Sequence, residues 1–408
     1  MSLSGAIPPW ASAVVAALHL RDPRPLRLSD ADWFSALDFC DRARLTLTLR
    51  GRAPDSMPAW VQERTARNAA NNALRLRGLL DLYRSLAHFQ FVALKGVTQT
   101  VLTGAPPESR VQYDIDLYGP PESVLAARDR LLARGYEPLA ELKEFPTDHL
   151  PALIRKTGWE WRGDFFDLEI PTAIELHFRL WDARSERLEA PGVDGFWSRR
   201  VTRQIAGAGM LTLHPADALA FTALHLLRHL LRGNLTPFHV YELALMLDRQ
   251  AADDNFWSAW QRLHSEPLRR LQAVSFQLAR EWFGCEAGPT AQEEIDRLPA
   301  ATRSWFETFR WSPLTAPFRS NKHEIWLHWS LLDSAAARWS VARHRLFPAR
   351  LPGPVDAVYL PASRIGWRRR ALKRVRYCGY LLSRAWHHAA ALPRTAAAGA
   401  LWWMRSRP

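Results

Sequence analysis

The chain has 408 residues, 48% of them apolar, which is enough for two or three domains with real cores and excludes a disordered protein. Its formal net charge of +13 is uneven: residues 357–408 hold eleven Lys/Arg and no Asp or Glu. The remainder is therefore close to neutral, which excludes a body that binds polyanions generally.

At the N-terminus, "MSLSGAIPPWASAVVAALHLRD" has no basic segment before its apolar stretch, so no secretory signal is expected. Residues 1–88 read as helical. "DADWFSALDFCDRARL" opens on aspartates suited to a helix N-cap, and a long Ala/Leu-rich stretch runs on from Pro58. The pattern changes at 89. "FQFVALKG" predicts a short buried strand, "VTQTVLTG" one or two helical turns, and "VQYDIDLYG" a second strand closed by Gly119-Pro120-Pro121. "PESVLAARDRLLARG" predicts a helix that stops at Gly135, and "TAIELHFRLW" a third strand.

Helical signal returns at about 213. "HPADALAFTALHLLRHLLRG" begins with Pro215 and Asp217 and ends at Gly233, and further helices are expected through "HEIWLHWSLLDSAAARWS". "FPARLPGPVDAVYLPASR" is a proline-rich linker, followed by the basic tail. The expected layout is a helical region over 1–88, an α/β core over 89–212, a helical domain over 213–345, and a linker and tail over 346–408. No run of about 18 uncharged apolar residues occurs, so no transmembrane helix is expected. Cys40, Cys285 and Cys378 are widely spaced with no CxxC, which excludes a zinc ribbon and favours a reducing, cytoplasmic setting.

The chemistry concentrates in "QYDIDLY". Side chains at i and i+2 on a strand share a face, about 6.5–7 Å apart, so Asp114 and Asp116 converge while Ile115 and Leu117 face the core. Two like charges this close raise one pKa unless a cation lies between them. A pair of divalent ions satisfies them, and oxygen ligands suit Mg²⁺ or Mn²⁺. Two metals are also what in-line displacement at phosphorus requires. The third carboxylate is expected from Glu175 in "AIELHF", with Glu169 and Asp167 behind it. The competing reading is a pair of exposed acids on a turn or edge strand.

The ordered set "FVALKG", "RVQYDIDLY", "LLARGYEP", "AIELHFRLW" and "LHPADALAFTALHLLRHLL" resembles the uncharacterised bacterial nucleotidyltransferase-like proteins of the DNA polymerase beta superfamily. The resemblance covers about 90–245. It implies an α+β fold, a small mixed-sheet core flanked by helical regions and mostly helical overall. It implies that two Mg²⁺ or Mn²⁺ ions sit on Asp114, Asp116 and Glu175, with an NTP as substrate. Lys95 and Gly96 would form the turn under the triphosphate, and Arg110 would touch the triphosphate or neutralise the acids. The superfamily's usual Gly-Ser is absent from that turn, so Thr98 stands as the source of a hydroxyl. The acceptor stays open among small molecules, sugars, proteins and RNA ends, and the resemblance carries a link to cell-surface polysaccharide synthesis. Two alternatives remain: an inactive nucleotide-binding or scaffold protein of the same fold, and an RNA-modifying or toxin-like transferase.

His177 shares the face of Glu175, where it either meets substrate and orients a carboxylate or makes a structural hydrogen bond. His225 and His229, at i and i+4, are expected to pack a helix rather than to bind zinc, since no clear third ligand accompanies them. No G-x-S-x-G, P-loop or G-x-G-x-x-G occurs. The tail interleaves arginines with Trp367, Tyr377, Tyr380, Trp386, Trp402 and Trp403. That composition suits the inner face of an anionic membrane, a basic helix packed on the body or, with less weight, nucleic acid.

Overall fold

The computed structural model describes residues 7–139, 148–347 and 366–406. Most of the expected proline-rich linker, residues 348–365, lies outside the described residues.

Seven strands make one mixed sheet: β1 (Val92–Ala93), β2 (Asp114–Tyr118), β3 (Glu137–Pro138), β4 (Leu153–Ile154), β5 (Ala173–His177), β6 (Val201–Ile205) and β7 (Ala208–Thr212). Their order is β3-β4-β5-β2-β1-β7-β6, with β2 parallel to β5 and antiparallel to β1. The three expected strands are β1, β2 and β5, and they lie side by side. The other four were not expected. β3 and β4 have two residues each, too few to show a period. β6 and β7 form a hairpin whose turn residues, Ala206 and Gly207, both take positive φ, 47° and 74°.

Alternation along β2 and β5 divides the sheet chemically. Ile115, Leu117, Ile174 and Leu176 are buried in one apolar cluster with Val124, Ala127 and Leu131 of the Pro121–Ala133 helix. The intervening side chains, Asp114, Asp116, Glu175 and His177, take the opposite face by the period of two. That face is met by the helices, which carry the larger core.

The Asp30–Ala43 helix is capped by Ser29, whose hydroxyl accepts from the Asp32 amide, so Asp30 and Asp32 occupy the first turn rather than the cap. The long Ala59–Leu86 helix passes through Gly78 without interruption. The Pro215–Arg232 helix is buried along most of its length and ends at Gly233, whose φ of 70° suits a glycine stop. One continuous apolar cluster joins N-terminal residues such as Trp33 and Leu37 to Leu224, Phe276 and Trp282 of the later helices. Fully buried Trp33, Trp257, Trp260, Trp282, Trp305 and Trp402 account for many of the chain's tryptophans. "HEIWLHWSLLDSAAARWS" divides into Glu324–Ser330 and Ala335–Leu346, because Ser334 caps the second piece by accepting from the Ala337 amide at 3.1 Å.

The tail is a helix, Trp367–Ser406, with Pro393 inside it. Its last third docks through a lane of small residues. Thr395 accepts from the Lys322 amide at 3.0 Å, and Trp326 donates to the Thr395 carbonyl at 3.0 Å. A Cβ at Gly399 would lie 2.1 Å from the Trp326 ring. Among the described residues no helix is long and apolar enough to cross a membrane. The three cysteines are free, Cys40 and Cys285 buried and Cys378 exposed.

Candidate active site

Parallel pairing of β2 with β5 sets Asp114 opposite Ala173 and Asp116 opposite Glu175. The register bridges the 58 residues that separate Asp116 from Glu175 in sequence. Both carboxylates line a pocket of about 230 Å³, together with Asp114, Lys95, Gly96, Arg110 and His177. Seven of the eight residues singled out from sequence thus meet in one cavity. The eighth, Thr98, lines a separate small cavity, and its hydroxyl donates to the Leu94 and Lys95 carbonyls at 3.1 and 2.9 Å. Glu169 pairs with Arg162 at 3.1 Å, and Asp167 accepts from the Trp159 indole at 2.8 Å. Both are engaged away from the pocket residues.

Lys95 leaves the end of β1 at a sharp turn. Gly96 takes φ +68°, and a Cβ there would lie 2.3 Å from Gln112 Nε2. That amide in turn donates to the Asp114 carbonyl at 2.6 Å, so the turn and the acidic strand are tied through one glutamine. The Lys95 ammonium lies 2.9 Å from Asp116 Oδ1. His177 Nε2 lies 3.1 Å from the same oxygen and 3.7 Å from Glu175 Oε2, while its Nδ1 faces Asp148 Oδ2 at 3.7 Å.

These contacts set the charge states. Burial alone would raise the Asp116 pKa, but Lys95 and the His177 hydrogen bond outweigh it and hold the carboxyl well below its ordinary range. Asp114 moves the other way, raised by burial and by the neighbouring Asp116 charge. Burial opposes the charged form of His177, yet Asp116, Asp148 and Glu175 around it push its pKa up to about 10. Burial likewise opposes Lys95, whose pKa is nonetheless raised by Asp116, Glu175 and Asp114. Asp116 is thus an ionised carboxylate held between two protein cations.

One atom each from Asp116, Glu175 and His177 lie within 4.8 Å of one another, a spacing and donor set able to hold a divalent ion. The two carboxylates suit Mg²⁺ or Mn²⁺, His177 could join them only after giving up its proton to become a neutral imidazole, and Asp114 stands two residues along the same strand face.

The helices supply the facing wall. Arg228 pairs with Asp148, and Arg232 with Glu186. Arg110 bonds Glu242 through Nε at 2.6 Å and Nη2 at 3.3 Å, rather than either acid of the pair. His225 and His229 do not simply pack the helix: with His239 they form a cluster on the pocket, ring centroids 4.4–5.6 Å apart. Burial and nearby cations push His225 and His239 well below the usual imidazole range and His229 to about 4, so all three are neutral near pH 7.

Sequence reasoning missed Asp148, Arg228, His239 and Arg44. Arg44 sits just past the Asp30–Ala43 helix in a left-handed conformation, φ 59°, and its guanidinium lies over the Tyr113 ring at 5.2 Å. Lys95, Arg110, Arg228 and Arg232 each have a carboxylate partner. Among the described residues, Arg44 is the pocket cation without a carboxylate within salt-bridge distance. Only His239 carried a usable signal, one turn into the helix that follows His225 and His229.

Residues 29–284, more than half of the chain, match the model of a family described as uncharacterised nucleotidyltransferase. Among solved structures, the chain is similar to an antigenic nucleotidyltransferase-like protein from Paracoccidioides brasiliensis, with 15% identity and a TM-score of 0.27. That match covers 45% of this chain and 84% of the other. No curated protein matches the sequence.

Proposed function

The chain belongs to the uncharacterised nucleotidyltransferase family, and on that premise we propose that it moves a nucleoside monophosphate from an NTP to an acceptor hydroxyl. The observation that carries this reading is the β2–β5 register, which sets Asp116 opposite Glu175 beside the Lys95–Gly96 turn. Asp114, Asp116 and Glu175, with His177 beside them, would hold the divalent ions, two Mg²⁺ or Mn²⁺. When bound, these ions would neutralise the phosphate charge and polarise the α-phosphorus.

The residues of the chain have separate tasks. Gly96, without a Cβ, lets phosphate approach the backbone, and Lys95 offers a point charge beside it. Arg44, which among the described residues has no carboxylate within salt-bridge distance, meets the negative charge of the polyphosphate, and the neutral His225, His229 and His239 can donate hydrogen bonds without adding charge. Glu175 takes the proton of the acceptor hydroxyl as its oxygen bonds to the α-phosphorus. The bond from the α-phosphorus to the bridging oxygen breaks, and pyrophosphate leaves with the electron pair. A sugar acceptor would fit the polysaccharide pathway that the family resemblance implies.

A second reading has its own support. Lys95 and His177 already neutralise Asp116, as expected of a relative that keeps the fold and nucleotide pocket without catalysis. Equilibrium binding of an NTP with and without Mg²⁺, for the wild type and the Asp114→Asn/Asp116→Asn variant, tests the proposal. Mg²⁺-dependent binding that the variant loses supports the enzyme; binding indifferent to metal and to the variant removes it.

A further inference from the structure

The Trp367–Ser406 helix carries nine Lys/Arg and no Asp or Glu. It has two faces of different character. Ala391, Thr395, Gly399 and Trp402, at intervals of four, four and three, are turned into the body, and Trp402 stacks on Trp326. Val375, Leu382 and Trp386 recur at intervals of seven and four, so they form a second lane along the helix. That lane faces away from the protein: the three side chains are 68%, 73% and 73% exposed. At 3.6 residues per turn it lies about half a turn from the docked lane. Arg374 and Arg376, both exposed, flank it on either side.

We infer that this helix lies flat on an anionic lipid surface, with the Val375–Leu382–Trp386 lane entering the headgroup boundary and the flanking arginines meeting lipid phosphates. An amphipathic helix of basic flanks and an apolar stripe binds this way, and an indole suits the headgroup level. No described helix is apolar enough to cross a membrane, so the contact is peripheral. Charge selects this occupant over the others. A second copy would bring one nine-cation helix against another. Single-stranded nucleic acid would use aromatic platforms, whereas two of the three lane residues are aliphatic and offer bases nothing to stack on.

The test is sedimentation of the full chain with vesicles of phosphatidylcholine alone or mixed with phosphatidylglycerol. Two variants accompany the wild type, Leu382→Glu/Trp386→Glu and Arg374→Gln/Arg376→Gln, each checked for an unchanged melting curve because the replaced side chains are exposed. The wild type should pellet with the mixed vesicles and remain in solution with phosphatidylcholine. Each variant should weaken vesicle binding by about ten-fold or more. The inference is overturned by a wild type that ignores mixed vesicles, or by variants that pellet like the wild type. It is also overturned if the lane variant's effect is confined to oligomer mass in light scattering or to oligonucleotide binding. None of these outcomes bears on nucleotidyl transfer.

Discussion

The Lys95 ammonium and Asp116 Oδ1 lie 2.9 Å apart at the centre of the pocket, and His177 reaches the same oxygen from the other side. A buried carboxylate between two cations is costly to neutralise from one side only. The Asp116→Asn variant would remove the anion nearest to both Lys95 and His177, which predicts a loss of about 3–5 kcal/mol in unfolding free energy. Transfer activity should fall by roughly 10²–10³-fold or more. Urea melts and a single-turnover assay measure the two effects separately, and a variant as stable and active as the wild type would remove Asp116 from the centre of the site.

Arg44 and Arg110 line the same pocket but should behave differently. Arg110 neutralises the buried Glu242, so Arg110→Ala is predicted to destabilise the fold by about 3–5 kcal/mol. Among the described residues Arg44 has no carboxylate within salt-bridge distance, though its charge acts on Asp114, and asparagine tolerates its left-handed backbone. Arg44→Asn gives up the contact with the Tyr113 ring and should cost only about 0.5–1 kcal/mol of stability, well below Arg110→Ala. It should weaken NTP binding by about ten-fold or more, the loss of a charge-assisted hydrogen bond. Calorimetric titration with an NTP separates the pair, and equal affinities for Arg44→Asn and wild type would remove Arg44 from the polyphosphate end.

Gly96 is held by two constraints, a φ of +68° and a Gln112 side chain 2.3 Å from where a Cβ would stand. Gly96→Ala is predicted to cost about 1–3 kcal/mol from backbone strain alone. It should also displace the Gln112 bond to the Asp114 carbonyl and so move the acidic strand. A thermal melt checks the first effect and NTP affinity the second; an unchanged pair of values would mean that the turn is not the rigid element described.

The histidine cluster gives a pH signature. His225, His229 and His239 are depressed below the ordinary imidazole value of 6.5, His229 to about 4. Between about pH 6.5 and 4 the unfolded chain binds protons at these positions that the folded chain does not, so stability is lost as pH falls through this window. Each histidine contributes a slope of about 1.4 kcal/mol per pH unit where fully protonated only in the unfolded state. His229→Gln should flatten the stability profile below pH 6.5 and leave it unchanged at pH 8. A profile of the same slope in the variant would contradict the assignment.

Much of the site could be read from the chain because its key residues alternate with buried apolar ones. Asp114-Ile115-Asp116-Leu117 and Ile174-Glu175-Leu176-His177 each announce a two-faced strand, and the parallel register then aligns Asp116 with Glu175. What could not be read depends on distant packing. β3 and β4 are too short to carry a period. Arg44 lies past the end of a helix more than fifty residues before the acids, in a stretch with no motif. Asp148 becomes part of the site only through the tertiary fold, which brings it to His177 and to Arg228, eighty residues later. Arg110 was legible as a pocket residue, but its partner Glu242 was not, since it lies on the Pro237–Gln250 helix, whose sequence carries no motif that ties it to the acids.

The central claim, transfer of a nucleotide to an acceptor hydroxyl, is tested most directly by adding the purified protein to a lysate of its own cells with an NTP labelled at the α-phosphate. The account predicts a labelled component that appears with wild type and Mg²⁺ or Mn²⁺, and disappears with a chelator or with Asp116→Asn. Labelling at the γ-phosphate alone should leave that component dark, because the pyrophosphate departs. A wild type that transfers no α-label to any component, with either metal and each of the four NTPs, would contradict the account.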